Sequence, residues 1–237
     1  MGRGALVLHG LAGKAAVWDP VTAALRGRFA TTAPDLPWHG MADPAWAHRP
    51  DPGRHVVDAV RDDHDVVVAH SMAAMLLVEA YADGRVRPRP TVLLCPFYRP
   101  DPAGFDWPTI SYYLNDFHRT FGEALRVGET GRFPPARREW LARSLRDQVG
   151  PYGWTRWFET YLRTPFLDVG AIDAPVLVVS GADDVAARPE DGRALAQALP
   201  RARFELLDGC GHFPMTEQPD RLAALVRDFF EESLELT

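Results

Sequence analysis

Val66-Val67-Val68-Ala69-His70-Ser71-Met72-Ala73-Ala74 runs directly into Met75-Leu76-Leu77-Val78. Three β-branched residues stop at a serine, and the residues after it have helical character. The order reads as strand, sharp turn and helix. On such an elbow the serine is held on a strained turn with its hydroxyl pushed into solvent. Ala69 and Ala73 stand where the usual pattern has glycine, because strand and helix approach closely there and only small residues fit.

The chain around this elbow is long enough, at 237 residues, to bury a large core as one α/β domain with an insertion. Apolar residues make up 46% and charged residues 24%, the balance of a soluble globular protein. A net charge of -6 and the lack of any basic run argue against a nucleic-acid or membrane-surface partner. The apolar runs are too short to span a bilayer, and because a strand is expected within the first residues, no signal peptide is expected. Cys95 and Cys210 cannot build a disulfide framework, so the expected location is the cytoplasm. A single lysine, Lys14, among 26 Lys and Arg residues suggests a GC-rich bacterial genome.

Strands are expected at 5–8, from Phe29, at 66–70, 91–96, 175–181 and 203–207, with helices from Asp19, over 54–63, after Ser71, over 189–199 and from Pro219 to about Glu232. Asp19-Pro20 is a good helix opening, an N-cap followed by proline. Strand–helix alternation predicts a mostly parallel, doubly wound sheet covered on both faces. Residues 97–168 interrupt it. They hold 16 of the 25 aromatic residues, and helices are expected around 112–123, 135–149 and 155–163, without a strand. The expected division is an α/β core of residues 1–96 and 169–237 with an all-helical cap at 97–168.

A serine hydroxyl is a poor nucleophile until a base within hydrogen-bond reach takes its proton, and that base needs an orienting group. The strand ending at Gly181 is followed by Ala182-Asp183-Asp184, and the last strand by Gly209-Cys210-Gly211-His212-Phe213. Loops leaving the carboxyl ends of parallel strands gather on one edge of the sheet. Ser71, His212 and an acid from the 183–184 pair can therefore converge, with Asp183 competing with Asp184 for the acid role. The remaining histidines show no paired metal-ligand spacing, so neither a metal nor a cofactor is expected. Cys210 reads as a small filler, Asp35 as a turn support.

Taken together, His9-Gly10-Leu11-Ala12-Gly13, Ala33-Pro34-Asp35-Leu36-Pro37-Trp38-His39-Gly40, the Ser71 elbow, Gly181-Ala182-Asp183-Asp184 and Gly209-Cys210-Gly211-His212 resemble the α/β-hydrolase superfamily, in its capped, serine-nucleophile form, over nearly the whole chain. The departures are the two elbow alanines, Trp38 in place of a commonly small residue, and a start at what corresponds to the family's third strand. The resemblance implies that His212 takes the Ser71 proton and that Asp184, by the Gly-x-x-Asp spacing, orients His212. It implies an oxyanion hole from the main-chain N–H groups of Leu11 and Met72. His9 is then structural, shaping the turn beside it.

Apolar pockets with a few polar anchors are the usual small-molecule sites. Phe97, Tyr98, Trp107, Tyr112 and Tyr113, first after the fourth strand, and Phe213 beside the base are the expected substrate-binding side chains. Ten arginines against nine acids in residues 97–168 give no sign of a polyanionic substrate. The expected activity is hydrolysis of a carboxylic ester or thioester of a largely apolar small molecule, as in a tailoring step of bacterial secondary metabolism. The same site could serve a lyase performing acetate-type elimination, a C–C hydrolase or a perhydrolase. A non-catalytic ligand-binding protein is the third class. Oligomeric state leaves no mark on the sequence.

Overall fold

Six strands build the molecule's centre: β1 (Arg3–Leu8), β2 (Phe29–Thr32), β3 (Val66–His70), β4 (Thr91–Leu94), β5 (Val176–Gly181) and β6 (Ala202–Leu207). They form one sheet in the order β2-β1-β3-β4-β5-β6. Every neighbouring pair is parallel, with registers such as Leu6↔Val67, Ala69↔Leu93 and Val178↔Phe204. The computed structural model describes residues 3–39, 43–128 and 134–235. Gly40, the end of the second loop motif, lies outside the described residues.

Alternation along each strand divides the core in two. Ala5, Val7, Val66, Val68, Val92, Leu94, Leu177 and Val179 face a cluster completed by α1 (Asp19–Leu25) and α9 (Pro219–Glu235) through Val21, Leu25, Leu222, Val226 and Phe230. Leu6, Leu8, Val67, Ala69, Leu93 and Val178 face the opposite cluster, which takes in α2 (Gly53–Ala59), α3 (Met72–Ala82) and α7 (Pro189–Ala198). A sheet buried on both faces needs apolar residues at consecutive positions, which is why its central strands read as unbroken apolar runs. The helix expected over 54–63 ends at Ala59, since Val60 is extended and the Arg61 N–H turns back onto His64 Nδ1 at 3.1 Å.

Between β4 and β5 lie α4 (Trp107–Asp116), α5 (His118–Gly128) and α6 (Pro135–Arg163), with no strand among the described residues. One helix expected around 112–123 is thus two. Asp106 caps α4 by accepting from the Thr109 N–H at 2.9 Å, and Pro108 lies in its first turn. The two helices expected at 135–149 and 155–163 join at Gly150, whose φ of 68° bends α6 ahead of Pro151. A short helix α8 (Pro214–Glu217) separates the last strand from α9.

Candidate active site

The carboxyl ends of β1, β3 and β4 each carry a left-handed, non-glycine residue nearby: Ala12 (φ 57°), Ser71 (φ 52°) and Cys95 (φ 48°). Such residues persist only where the surroundings over-determine them, and they mark functional edges. Ser71, with ψ at −118°, stands between β3 and α3, and both Ala69 and Ala73 are fully buried beside it.

Three sequence-separated side chains meet here. His212 Nε2 lies 3.0 Å from Ser71 Oγ, and His212 Nδ1 lies 2.7 Å from Asp184 Oδ2. A carboxylate only accepts, so Nδ1 carries the proton and Nε2 is free to accept from the Ser71 hydroxyl. The other oxygen of Asp184 accepts from the Ala186 and Ala187 N–H groups at 2.8 and 2.9 Å. All three residues are buried, whereas Asp183 is exposed and its main-chain N–H donates to Cys210 O.

Two glycines make the approach of these loops feasible. A Cβ on Gly181 would lie 2.1 Å from Gly211 O and 2.4 Å from Cys210 O, so only glycine lets the end of β5 pass beneath the histidine loop. A Cβ on Gly10 would lie 2.8 Å from His70 Nδ1 and 3.0 Å from Ser71 Cβ. His9 sets the turn beyond: its Nε2 accepts from the Leu36 N–H at 2.8 Å, so Nδ1 carries the proton, donated to Gly10 O at 2.8 Å. Burial holds His9 below its ordinary pKa, in keeping with this neutral, structural form. The Ala12 N–H donates to Trp38 O at 2.9 Å and the Ala15 N–H to Asp35 Oδ1 at 2.6 Å, which ties the β1 and β2 loops together.

A cavity of about 860 Å³ opens over Ser71 and His212. It is lined by Leu11 and Ala12, by Phe97 and Phe213, by Phe117 at the α4–α5 junction, and by Phe121 and Leu125 of α5 and Trp157 of α6. Leu11 N–H makes no hydrogen bond among the described residues. Met72 N–H heads α3, where no carbonyl one turn earlier is available to it.

Four of the expected substrate-binding residues lie elsewhere. Trp107 is 81% exposed. Tyr112 donates to Val185 O at 2.9 Å. Tyr98 and Tyr113 are buried off the cavity wall, Tyr113 edge-on to Trp157 at 5.4 Å. Thr120, Phe121, Ala124 and Leu125 of α5 line the cavity, and no residue of α4 does so among the described residues.

His70, Cys95 and His212 are the one group of three such side chains, among the described residues, with ligand atoms within 4.8 Å of one another. Both nitrogens of His212 are engaged with Ser71 and Asp184, and His70 Nε2 with His212 O at 2.8 Å. Burial, and next the Asp184 charge, push the Cys95 thiol well above its ordinary range, against a metal-binding thiolate. Burial likewise raises Cys210 to about 12, consistent with an inert filler.

Residues 5–225 match the profile of a family described as Alpha/beta hydrolase family. The chain is 27% identical over 232 residues to a pimeloyl-[acyl-carrier protein] methyl ester esterase of Nitrosomonas europaea, with 92% of each chain covered. Among solved structures it resembles Est816, described as an N-acyl homoserine lactone degrading enzyme, with a TM-score of 0.70 and 20% identity over 97% of this chain and 93% of that one. A thermophilic esterase from Thermogutta terrifontis superposes with a TM-score of 0.65 and 21% identity over 98% and 91% of the two chains. At these identities the structural likeness speaks for the fold.

Proposed function

The chain belongs to the alpha/beta hydrolase family, and from that premise we propose that it is a serine hydrolase cleaving a carboxylic ester or thioester of a largely apolar small molecule. The observation that carries this reading is the unbroken Ser71–His212–Asp184 hydrogen-bond chain at the base of an apolar cavity. Similarity over most of its length to a methyl ester esterase supports the ester class.

His212 Nε2 takes the Ser71 proton as Oγ attacks the acyl carbon, and the carbonyl becomes a tetrahedral oxyanion. The N–H groups of Leu11 and Met72 stabilise that oxyanion; losing one such donor typically costs roughly 10²–10³ in rate. The imidazolium of His212, steadied by Asp184, then protonates the departing alcohol or thiol, leaving an acyl group on Ser71. Water, deprotonated by His212, releases the acid and restores the serine. Helices α5 and α6 act as a cap over this chemistry, and residues 97–168 form that cap on the core of residues 1–96 and 169–237. Among the described residues, Lys14 is the single formally charged side chain on the cavity wall, which supports a substrate that is mostly apolar.

Purified protein is expected to hydrolyse short-chain p-nitrophenyl esters and to take a fluorophosphonate label on Ser71. Ser71→Ala abolishes both. A well-folded wild-type protein showing neither turnover nor label would sink the reading. With a natural substrate in ¹⁸O-water, label in the acid product marks hydrolysis, and an unlabelled acid with an alkene marks elimination.

A further inference from the structure

His212 is a loop residue, yet its ring must keep two hydrogen bonds in line at once. Its neighbours on the main chain are held by a side chain unrelated to the triad. The Glu217 carboxylate accepts from the Gly211 N–H with Oε2 at 3.0 Å and from the Phe213 N–H with Oε1 at 3.0 Å. One carboxylate therefore grips the peptide groups on both sides of His212. The His212 carbonyl accepts from His70 Nε2 at 2.8 Å. A carbonyl cannot donate, so His70 carries its proton on Nε2.

Both holders are fixed in turn. Glu217 ends the short helix α8 and its side chain is only 10% exposed. A Cβ on Gly211 would lie 2.8 Å from Glu123 Oε1 and 3.3 Å from Glu217 Oε1, so glycine lets both carboxylates approach this closely. His70 is buried as the last residue of β3, its ring centroid 4.8 Å from that of His212 and 5.6 Å from that of Phe213. Burial, and next His212 itself, keep the His70 ring well below its ordinary pKa and hence neutral. A neutral donor there adds no charge beside the imidazolium formed during turnover.

We propose that Glu217 and His70 are positioning residues that clamp the main chain at residues 211–213 and so fix the His212 ring between Ser71 and Asp184. This rests on the ester-hydrolase reading for its rate effect, because a misplacement of about 1 Å at such a group can cost on the order of 10²-fold in rate. Glu217 lies off the cavity wall, so the loss on replacing it falls on kcat and leaves KM in place, whereas His70 also lines the cavity and its replacement is judged on kcat and the His212 signal. The replacements form a graded series. Glu217→Gln keeps one acceptor and Glu217→Ala keeps none. His70→Gln keeps an N–H near the Nε2 position, and His70→Phe keeps the ring without the donor.

The experiment measures kcat and KM for a short-chain p-nitrophenyl ester across the four variants. It also records each variant's Tm and the downfield proton NMR signal of the His212 Nδ1–H. Glu217→Ala and His70→Phe are expected to lower kcat about 10- to 100-fold and to broaden or abolish the signal, with KM within about twofold for Glu217→Ala. The two glutamine variants fall between these and wild type. Wild-type kcat and an unchanged signal in folded Glu217→Ala or His70→Phe would overturn the proposal, as would losses that follow Tm and ignore hydrogen-bonding capacity. If Glu217→Ala fails to fold, Glu217→Gln and the His70 pair decide the matter. The NMR signal needs no turnover, so a wild-type protein inert toward esters defeats the ester reading while the clamp is still judged.

Discussion

Asp184 uses its whole carboxylate. One oxygen meets His212 and the other collects two main-chain N–H groups from the turn that follows. Asn at this position keeps an acceptor for one side only, and its amide can force the wrong imidazole tautomer. Asp184→Asn is expected to lower kcat by about 10⁴-fold, while Asp183→Asn leaves kcat within about twofold of wild type, both read with a p-nitrophenyl ester. The sequence left these neighbours in competition at the level of residue type, and a family spacing preferred the second. The structure separates them by exposure: Asp183 faces solvent and Asp184 faces His212. Glu217 and His70 were passed over because their work is done through main-chain groups, which carry no residue signature. Only a Glu five residues past a histidine hinted at one of them.

At the scale of the element, the insertion between β4 and β5 shows what an aromatic-rich sequence can and cannot convey. Sixteen aromatics in one segment announced a helical unit with its own packing. Trp157 is its hub, with ring centroids 5.5 Å from Phe97, 5.1 Å from Phe117 and 5.4 Å from Tyr113. Trp107, four-fifths exposed, packs little. Trp157→Ala is expected to destabilise the protein by about 3–5 kcal/mol in urea unfolding, the usual cost of emptying a buried aromatic site. Trp107→Ala should stay within about 0.5 kcal/mol of wild type and leave KM unchanged. Trp107 is expected at the site only for its place early after the fourth strand, and nearness along the chain does not fix which side chain faces the cavity, where Trp157 stands instead. The Asp106-Trp107-Pro108 start of α4 was a readable signal, since a capping aspartate and an early proline place Trp107 in the first turn.

Over the whole molecule, the insertion is joined to the sheet's helical layer by a buried polar contact. Tyr161 of α6 donates to Asp191 of α7, and Arg99 Nε donates to the Tyr161 hydroxyl at 3.0 Å. Burial raises Asp191 to about 6, a rise that Tyr161, Arg99 and Arg188 oppose and Glu190 assists. With its folded pKa above that of the unfolded chain, Asp191 binds a proton more tightly when folded. Its contribution is therefore intact below about pH 4 and is lost as pH rises toward 6, by about 3 kcal/mol. Asp191→Asn cannot lose a proton, so its Tm relative to wild type should climb between pH 4 and 6 and level off above. A flat difference over that range would contradict the sign. No described helix is long and apolar enough to cross a membrane.

By itself the sequence determined the parallel sheet, the elbow, the histidine loop and the existence of a helical insertion. Each of these is written in local chemistry: unbroken apolar runs for strands buried on both faces, small residues where backbones cross, capping residues at helix starts. The tertiary structure decided the rest. It chose Asp184 over its neighbour, turned α5 rather than α4 over Ser71, and brought Glu217 and His70 to the main chain around His212. Those outcomes depend on distances between segments far apart in the chain, such as the 142 residues from His70 to His212. They are fixed only when packing settles which side chain is buried against which backbone, and no local pattern encodes that.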